Sequence, residues 1–316
     1  MRHELSAKEN AVRQSPDIHR GGHYSRANHL NTSACARVGH SLSMNKLATF
    51  KSLGRYGRLA NQMFQVSGLI GIARKNGFDF ALTDKWRNHD GLNFEPDLDI
   101  DVFERFENEL PIYTGRDLPQ RGIPWGYHDV RLTESCDLLG HFQSEKYFEH
   151  CLDEVRFYLR MKGEPAQNDY CAIHWRAGDY GNQPSPQHPQ GNPWHPRMEM
   201  TYYEPAMSLF GSDQKFLVFS DDISGAREMF GDRCEYSTET DYLNDWRLMK
   251  RCSHFIIANS SYSLMAAMLG ENPEKQVVCP RPWFGAAYKG QLEEKDIPSA
   301  GWHVVDWETQ EIKRAA

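Results

Sequence analysis

The sequence predicts an α/β protein whose two halves each carry a parallel sheet and face each other across a cleft. Near-continuous apolar strands alternate with helical segments along the chain, which is typical of parallel sheets covered on both faces. A polar stretch, MKGEPAQND at 161–169, separates the two halves and has the character of a linker. Polar clusters follow four of the strands, and ligands of open parallel sheets bind beyond the carboxyl ends of the strands. We therefore expect a ligand site in the cleft.

Composition and the alternation of strands and helices divide the chain into three segments. Residues 1–43 are polar, carry five of the fourteen histidines and show no sustained period, so we expect a disordered N-terminal extension. A metal-binding histidine tract is the alternative for this segment. Residues 44–163 and residues 164–316 form the two predicted domains.

The first domain begins with a strand, a helix and a second strand. Apolar periodicity and capping residues predict these elements in chain order: a strand at 46–52, a helix at 59–76 that ends at Gly77, a strand at 78–82, an irregular charged region at 84–135, a strand at 136–143, and a helix at 145–160 capped by Ser144. A βαβ unit of this kind makes the first sheet parallel.

The second domain alternates strands and helices more regularly. The pattern predicts strands at 170–175, 215–220, 254–259 and, as the last strand, 276–280, and helices at 202–210, 221–230, 241–252 and 261–269. Thr201 and Glu204 form a T-x-x-E capping box for the first of these helices. A loop at 181–198 with five prolines precedes that helix.

Composition and charge exclude several classes of protein. A chain of 316 residues suffices for two domains, and its net charge of −7 offers no broad positive field for nucleic acid or an anionic membrane. The seven cysteines are scattered and form no CxxC pair, so we expect neither a disulfide framework nor a zinc site. The longest apolar stretches, 63–73 and 255–269, are too short or too polar to be a transmembrane segment, and no secretory leader is evident. We expect a soluble cytoplasmic protein, for which the sequence predicts no oligomeric state.

The stretch CAIHWRAGDY, residues 171–180, brings several polar side chains to the end of a strand. Arg176 offers a planar, permanently charged guanidinium that can hold two phosphate oxygens at once, and His174 and Asp179 flank it. Gly178 lets the backbone approach a ligand closely. We interpret this loop as a diphosphate-binding site. The alternative is that Arg176 only pairs with Asp179 to close the loop.

Three further strand ends carry groups that suit a nucleotide. In FSDDIS, Asp221 or Asp222 could accept hydrogen bonds from the N1–H and N2–H₂ edge of a guanine, or could simply cap the next helix. In NSSYS, Ser261 and Ser263 could donate to a phosphate at a helix N-terminus, or cap that helix. In GRLANQ, Asn61 could donate its amide to the same anion. Their order and shared position at strand ends favour one nucleotide site.

The motifs together resemble a known family. GRLANQMFQ resembles the G-x-L-G-N-Q-M-F-Q signature of the alpha-1,2-fucosyltransferases of glycosyltransferase family 11. IHWRAGDY resembles their H-x-R-R-G-D-Y element, which alpha-1,6- and protein O-fucosyltransferases share more loosely. The stretches LLGHFQSEKYF, MTYYEPAM, FSDDI, CSHFIIANSSYSLMAAML and VVCPRPWF also resemble motifs of that family. The resemblance runs from about residue 46 to 284.

The resemblance implies a GT-B-like fold, in which two Rossmann-like domains face a cleft. Residues 44–163 would then be the acceptor-side domain and residues 164–316 the GDP-sugar-binding domain. The implied reaction is the inverting transfer of L-fucose from GDP-fucose to a hydroxyl of a galactose-containing glycan, as a galactoside 2-alpha-L-fucosyltransferase performs it. No metal and no cofactor would be required.

The resemblance also implies roles for individual residues. Arg176 would bind the pyrophosphate while His174 shapes its loop, Asp222 beside Asp221 would read the guanine, Ser261 and Ser263 would lie at the phosphates, and Asn61 and Arg58 would line the donor cleft. An inverting reaction needs a base near the acceptor hydroxyl, and Asp179 is our candidate.

The chain departs from the family pattern at several places. The second arginine of the family's element is Ala177 here, which removes one cation near the leaving group, and the glycine of the first motif is Ala60. The proline-rich loop at 181–198, with Trp194, is longer than the family usually shows. It either shapes acceptor choice by stacking on a sugar face or is a passive surface loop.

Two other functions stay open at this point. Asp97, Asp99 and Asp101 alternate in PDLDIDVF as in the D-x-D site of metal-dependent glycosyltransferases, which would place Mn²⁺ or Mg²⁺ on the diphosphate. Because of Ala177, a catalytically weak or inactive glycan- or nucleotide-binding protein on the same scaffold is the second alternative. A dinucleotide dehydrogenase is disfavoured, since no G-x-G-x-x-G follows a strand.

Overall fold

The computed structural model describes residues 46–55, 57–83, 106–181, 192–288 and 291–316. These residues belong to one compact unit, Met44–Ala316. The predicted extension, 1–43, lies outside the described residues, and the division of the compact unit at 163/164 stays a prediction.

The first sheet has five strands: β1 (Leu47–Phe50), β2 (Asp79–Thr83), β3 (Ile112–Tyr113), β4 (Gln120–Gly122) and β5 (Cys136–Leu139). Their order across the sheet is β3-β2-β1-β5-β4, and every described pair is parallel. Helix α1 (Leu59–Lys75) connects β1 to β2 and ends before Gly77, whose φ of +69° is the left-handed conformation that glycine adopts at helix ends. The predicted βαβ unit is confirmed.

The second sheet has seven strands: β6 (Cys171–Trp175), β7 (Phe216–Ser220), β8 (Glu235–Tyr236), β9 (His254–Ile256), β10 (Val277–Arg281), β11 (His303–Asp306) and β12 (Ile312–Arg314). Their order is β12-β11-β10-β9-β6-β7-β8, and only β11 with β12 pairs antiparallel among the described strands. The predicted α/β class with two parallel sheets is therefore confirmed.

Five more helices complete the described structure: α2 (Leu152–Tyr158), α3 (Met200–Met207), α4 (Ile223–Phe230), α5 (Tyr242–Lys250) and α6 (Ser261–Leu269). Helices α1 and α6 pack against each other, and one continuous apolar core contains Met63 and Leu69 of α1 together with Met265 and Leu269 of α6. Both helices are apolar around most of their circumference because they are covered on nearly all sides. This packing fixes the position of their N-termini relative to each other.

The predicted helix at 145–160 is wrong in its first half. Two short 3₁₀ turns, Glu145–Tyr147 and Glu149–Cys151, precede α2, and the chain leaves the helical conformation at Phe148. Helix α1 lies so close to this turn that a side chain at Gly71 would collide with the backbone of Phe148. Ser144 caps nothing with its side chain, and its hydroxyl is buried.

The predicted capping box is also wrong. Helix α3 begins at Met200, so Thr201 lies inside it, and Glu204 pairs with Arg233 at 3.1 Å instead of turning back to the helix N-terminus. The strand at 276–280 is not the last one, because β11 and β12 extend the sheet beyond it. The short strands β3, β4 and β8 were not predicted either, since two or three residues carry too little periodicity to be recognised.

Candidate active site

A cavity of about 690 Å³ lies between the two sheets. It is bounded by the N-terminus of α1, by the residues that follow β6 and β7, and by the N-terminus of α6. The lining includes seven of the nine residues that the sequence predicted for the site: Arg58, Asn61, His174, Arg176, Asp179, Asp221 and Ser261. Asp222 and Ser263 are not among the lining residues.

Strand register explains how Arg176 and Asp221 meet. Strands β6 and β7 are parallel neighbours with Trp175 opposite Ser220, so the next residue of each strand leaves the sheet at the same edge. Arg176 Nη1 lies 2.5 Å from Asp221 Oδ2. Asp221 also accepts a hydrogen bond from the backbone N–H of Ala177 at 2.8 Å, which fixes the loop after β6 to the loop after β7.

Arg176 is held by a second carboxylate. Its Nη2 lies 2.5 Å from Asp179 Oδ1, and the guanidinium carbon lies 5.5 Å from the ring centre of Tyr180. Burial acts to lower the pKa of Arg176, but Asp221 and Asp179 outweigh burial and the net shift is upward. A guanidinium has five N–H donors, so Arg176 can keep both ion pairs and still donate to a bound anion. The charge is permanent and its orientation is fixed.

Asp179 lies between two guanidinium groups. Besides Arg176, Arg58 at the N-terminus of α1 approaches Asp179 Oδ2 to 3.3 Å. Burial acts to raise the pKa of Asp179, but Arg176 and Arg58 outweigh it and hold that pKa below its ordinary value. A carboxylate in this position binds protons weakly, so the arrangement favours a positioning role. The predicted role as a base stays a prediction.

The loop glycine leaves room for a carboxylate. A Cβ atom at Gly178 would collide with the carboxylate of Asp221, so only a residue without a side chain allows Asp221 to reach both Arg176 and Ala177. The sequence predicted that the backbone at this glycine approaches a ligand, which stays a prediction; the neighbour that the structure shows there is Asp221.

His174, which lines the cavity, forms a buried pair with Ser263, which lies behind it. His174 Nδ1 lies 2.8 Å from Ser263 Oγ, and the His174 carbonyl accepts a hydrogen bond from Tyr203 at 2.7 Å. Burial, helped by the charge of Arg176, lowers the pKa of His174 to about 3, so the imidazole is neutral at physiological pH. Ser263 is completely buried and holds His174, which explains why it does not line the cavity.

The N-terminus of α6 faces the cavity. Ser260, not Ser261, is its N-cap and accepts from the backbone N–H of Tyr262. Ser261 is the first helical residue, and Ser260, Ser261 and Tyr262 all line the cavity. The free N–H groups and the dipole of a helix N-terminus favour an anion. On the opposite side Asn61, in the first turn of α1, accepts a short hydrogen bond from the Gln143 amide.

Asp222 acts as a helix cap. Its side chain accepts from the backbone N–H of Gly225 at 3.0 Å at the start of α4. Asp222 therefore has the capping role that the sequence analysis left open as the alternative. Its predicted contact with guanine stays a prediction, and the position of Asp222 outside the cavity lining does not favour it.

A carboxyl group that the sequence analysis missed faces the cavity instead. Asp245 of α5 lines the cavity and accepts from the Ser237 hydroxyl at 2.6 Å. Burial raises its pKa to about 6, against the effect of that hydrogen bond. A signal was present, because Asp245 is adjacent to buried Trp246 and lies one helical turn before buried Met249.

Among the described residues, no group of three or more His, Cys, Asp or Glu side chains could hold a metal ion. Asp97, Asp99 and Asp101 of the D-x-D alternative lie outside the described residues. No helix in the described part of the chain combines the length and the apolar character needed to cross a bilayer.

Comparison with known proteins decides the family. The sequence model described as Glycosyl transferase family 11 matches residues 133–305, which is more than half of the chain and includes Arg176, Asp245 and Ser261. The chain belongs to glycosyltransferase family 11. The resemblance stated from the motifs is confirmed at the level of the family.

Other similarities of this family 11 glycosyltransferase are more limited. The O-antigen biosynthesis glycosyltransferase WbnK of Escherichia coli is 31% identical over 163 residues, which cover 49% of this chain and 52% of the relative. The chain thus spans about half the length of that curated relative. A crystal structure of POFUT1 in an apo form covers 74% of this chain and 97% of its own, with a TM-score of 0.39 and 12% identity.

Proposed function

We propose that this family 11 enzyme transfers L-fucose from GDP-fucose to a hydroxyl of a galactose-containing glycan, with inversion and without a metal ion, as a galactoside 2-alpha-L-fucosyltransferase. One observation carries the proposal: Arg176 is fixed by Asp179 and Asp221 at the cavity, near the N-terminus of α6. A fixed guanidinium and a helix N-terminus together suit a diphosphate.

The cavity has room for a nucleotide sugar. Its volume of about 690 Å³ lies within the range of about 300–1,000 Å³ that small-molecule sites occupy. With the diphosphate between Arg176 and Ser261, two lining carboxylates that do not pair with Arg176 are available to the nucleobase, Glu239 and Asp245. We assign the nucleobase contact to Asp245, which is half-buried, whereas Glu239 is exposed. Ionised Asp245 can accept from the N1–H and N2–H₂ groups of guanine, an adjacent pair of donors that adenine lacks.

The reaction breaks the bond between the anomeric carbon of fucose and the β-phosphate oxygen. Both electrons of that bond leave with GDP, so negative charge develops on the β-phosphate, and the acceptor oxygen forms the new bond from the opposite face. Arg176 and the N–H groups at the start of α6 stabilise that charge, and fixed donors of this kind are usually the largest catalytic contribution. The acceptor hydroxyl loses its proton to a base. Asp179 is the candidate from the sequence, although its two guanidinium partners weaken it as a base.

The proposed acceptor class is supported by the name of a relative and by the motif resemblance. The name of the WbnK relative associates that protein with O-antigen biosynthesis, and O-antigens are surface glycans. A galactose-containing glycan of this type is the acceptor class that we propose, with the 2-hydroxyl of galactose as the acceptor position suggested by the motif resemblance.

A second candidate is a catalytically weak glycan- or nucleotide-binding protein on the same scaffold. Ala177 favours it, because the family's element has a second arginine at this position. Arg58, which lies 3.3 Å from Asp179, supplies another guanidinium to the same cavity and favours an active enzyme.

The test is a donor screen with product analysis. The purified enzyme is incubated with GDP-fucose, GDP-mannose, UDP-galactose or UDP-N-acetylglucosamine and with a panel of galactosides, and the linkage of any product is determined by NMR. We expect transfer from GDP-fucose alone, to the 2-hydroxyl of a terminal galactose. The Arg176→Ala variant controls for contaminating activity. Transfer from a UDP-sugar, or GDP-fucose binding without hydrolysis or transfer, would contradict the proposal.

A further inference from the structure

Four aromatic side chains form a surface beside the cavity, which we call the aromatic platform: Trp194, His195, Phe284 and Tyr288. The Trp194 and Tyr288 rings have centroids 4.6 Å apart, and those of Phe284 and Tyr288 are 5.3 Å apart. The His195 ring lies 6.0 Å from that of Phe284. The platform therefore joins two chain segments that lie about ninety residues apart in the sequence.

The platform is continuous with the cavity. His195 stacks on Tyr180 with centroids 5.0 Å apart and an interplanar angle of 15°, and both residues line the cavity. Tyr180 in turn lies against the guanidinium of Arg176. A ligand on the platform would thus be next to the position proposed for the diphosphate.

Buried amides hold the platform in place. Asn192 is 2% exposed, and its Oδ1 accepts from the backbone N–H groups of Trp194 at 3.0 Å and His195 at 3.1 Å. Its Nδ2 donates to the carbonyl of Asp179 at 2.9 Å. The second segment is fixed by a hydrogen bond from Gly285 N–H to the Trp194 carbonyl at 2.8 Å. A surface held in this way binds a ligand with little loss of conformational entropy.

The platform is not a closed part of the apolar core. Trp194 is 38% exposed and is one of only five large apolar side chains exposed in the described part of the chain. Phe284 and Tyr288 are partly exposed, whereas aromatic residues of the core such as Trp246 and Phe255 are completely buried. Packing of the apolar core does not explain why the Trp194 indole is exposed here. The opposite half of the structure also reaches the platform, since the Trp125 ring lies 5.4 Å from that of Phe284.

We propose that the aromatic platform binds a pyranose ring of the acceptor glycan and directs one of its hydroxyls into the cavity. A pyranose has one face of C–H groups and a polar edge, so an aromatic surface removes the apolar face from water while the hydroxyls stay available. A galactoside has such a face. This inference rests on the proposed function, because the acceptor of a glycosyltransferase must lie beside the donor diphosphate.

The test compares kinetic constants of the Trp194→Ala, Trp194→Phe and Phe157→Ala variants. Phe157 of α2 is a matched control, because it is an aromatic residue with 52% exposure that does not line the cavity. For Trp194→Ala we expect the KM for the galactoside to rise at least about ten-fold, while KM for GDP-fucose and Kd for GDP stay within about two-fold of wild type. Trp194→Phe should recover most of the affinity, and Phe157→Ala should match wild type. The inference would be overturned if the KM for the galactoside were unchanged in Trp194→Ala, or if that KM rose equally in Trp194→Ala and Phe157→Ala.

A binding experiment separates failure of this inference from failure of the proposed function. Saturation-transfer NMR is recorded with methyl β-D-galactopyranoside, methyl β-D-glucopyranoside and methyl α-L-fucopyranoside in the presence of GDP. If the wild-type enzyme transfers no fucose but a pyranoside signal is present and is lost in Trp194→Ala, the platform stands and the proposed function fails. If no pyranoside gives a signal, or if Trp194→Ala keeps the wild-type signal, the platform assignment is refuted whatever the donor is.

Discussion

The Arg58 guanidinium lies 3.3 Å from the Asp179 carboxylate, although 121 residues separate them in the chain. Arg58 is the N-cap residue of helix α1, which connects two strands of the first sheet, and Asp179 follows strand β6 of the second sheet. The same carboxylate lies 2.5 Å from Arg176, so it connects the predicted diphosphate-binding arginine with the opposite wall of the cavity. The charged part of the site is therefore complete only when both sheets are assembled.

Variants at Arg176 test whether this residue binds the diphosphate or only maintains the fold. In Arg176→Lys the ammonium keeps the charge but cannot hold two carboxylates and a phosphate in one plane. We expect Arg176→Ala to reduce kcat/KM for GDP-fucose by about 10²–10³-fold or more, and Arg176→Lys by an intermediate factor. The measurements are steady-state kinetics and a thermal melt that shows both variants are folded. Near wild-type transfer by a folded Arg176→Ala would rule out the assigned role.

Asp179→Asn distinguishes positioning from base catalysis. We expect the KM for GDP-fucose to rise about ten-fold, because Arg176 loses one of its two carboxylate partners, while the acidic limb of the pH–rate profile stays where it was. Loss of that limb together with a large fall in kcat would instead establish Asp179 as the base.

The pH dependence of stability gives a second measurement on the same variant. Since the pKa of Asp179 is lower in the folded protein than its ordinary value, ionised Asp179 stabilises the fold above that ordinary value. This contribution is lost as the pH falls through the lowered pKa. The difference in stability between wild type and Asp179→Asn should therefore shrink on acidification.

Asp245→Asn should stabilise the protein and weaken nucleotide binding. The pKa of Asp245 is raised to about 6, so the ionised form costs stability as the pH rises from the ordinary Asp value to about 6. Above that pH we expect the neutral amide to increase the free energy of unfolding by on the order of 1–3 kcal/mol. At pH 4 the difference should nearly vanish.

The affinity of Asp245→Asn for GDP should fall by about 10–100-fold, the range expected for lost hydrogen bonds to a charged group. Asp222→Asn is the comparison, since Asp222 caps α4 and does not line the cavity. Calorimetric titration with GDP measures both. A larger loss in Asp222→Asn than in Asp245→Asn would return the guanine contact to Asp222, as the sequence analysis placed it.

Excess EDTA should leave transfer unchanged. The proposed mechanism neutralises the diphosphate with Arg176 and the N-terminus of α6, so removal of divalent ions should change kcat/KM by less than about two-fold. Recovery of a lost activity by added Mn²⁺ would instead support the D-x-D alternative at Asp97, Asp99 and Asp101. An Asp99→Asn variant would then locate the metal site.

A buried ion pair connects the predicted linker to helix α5. Lys250 Nζ of α5 lies 2.5 Å from Glu164, and burial lowers the pKa of this lysine. Lys250→Met removes the closer cation from nearly buried Glu164, which keeps only Arg251 at 4.0 Å and the backbone N–H of Met161. We expect the free energy of unfolding to fall by about 3 kcal/mol, the lower end of the range for a broken buried pair. Lys313→Met, which removes the fully exposed pair with Glu311, should leave the same urea titration nearly unchanged. Equal losses would mean that burial of the first pair has no energetic consequence.

The sequence by itself determined the fold class, the family and seven residues of the cavity lining. Apolar strands that alternate with helices indicate parallel sheets whose two faces are covered by helices. The polar residues at the carboxyl ends of such strands lie at the same edge of the sheet, as Arg176 and Asp221 do. These features are local in the chain, because each depends on a short run of residues and on its secondary structure.

Only the tertiary structure decided what each polar residue contacts. Asp222 caps a helix while Asp245, from a helix that looked merely amphipathic, faces the cavity. Ser263 is buried behind His174, and Asp179 meets Arg58 from the other sheet. Burial and partner choice depend on which surfaces pack together over long distances in the chain, so a residue's own neighbours in sequence indicate its contacts only in part.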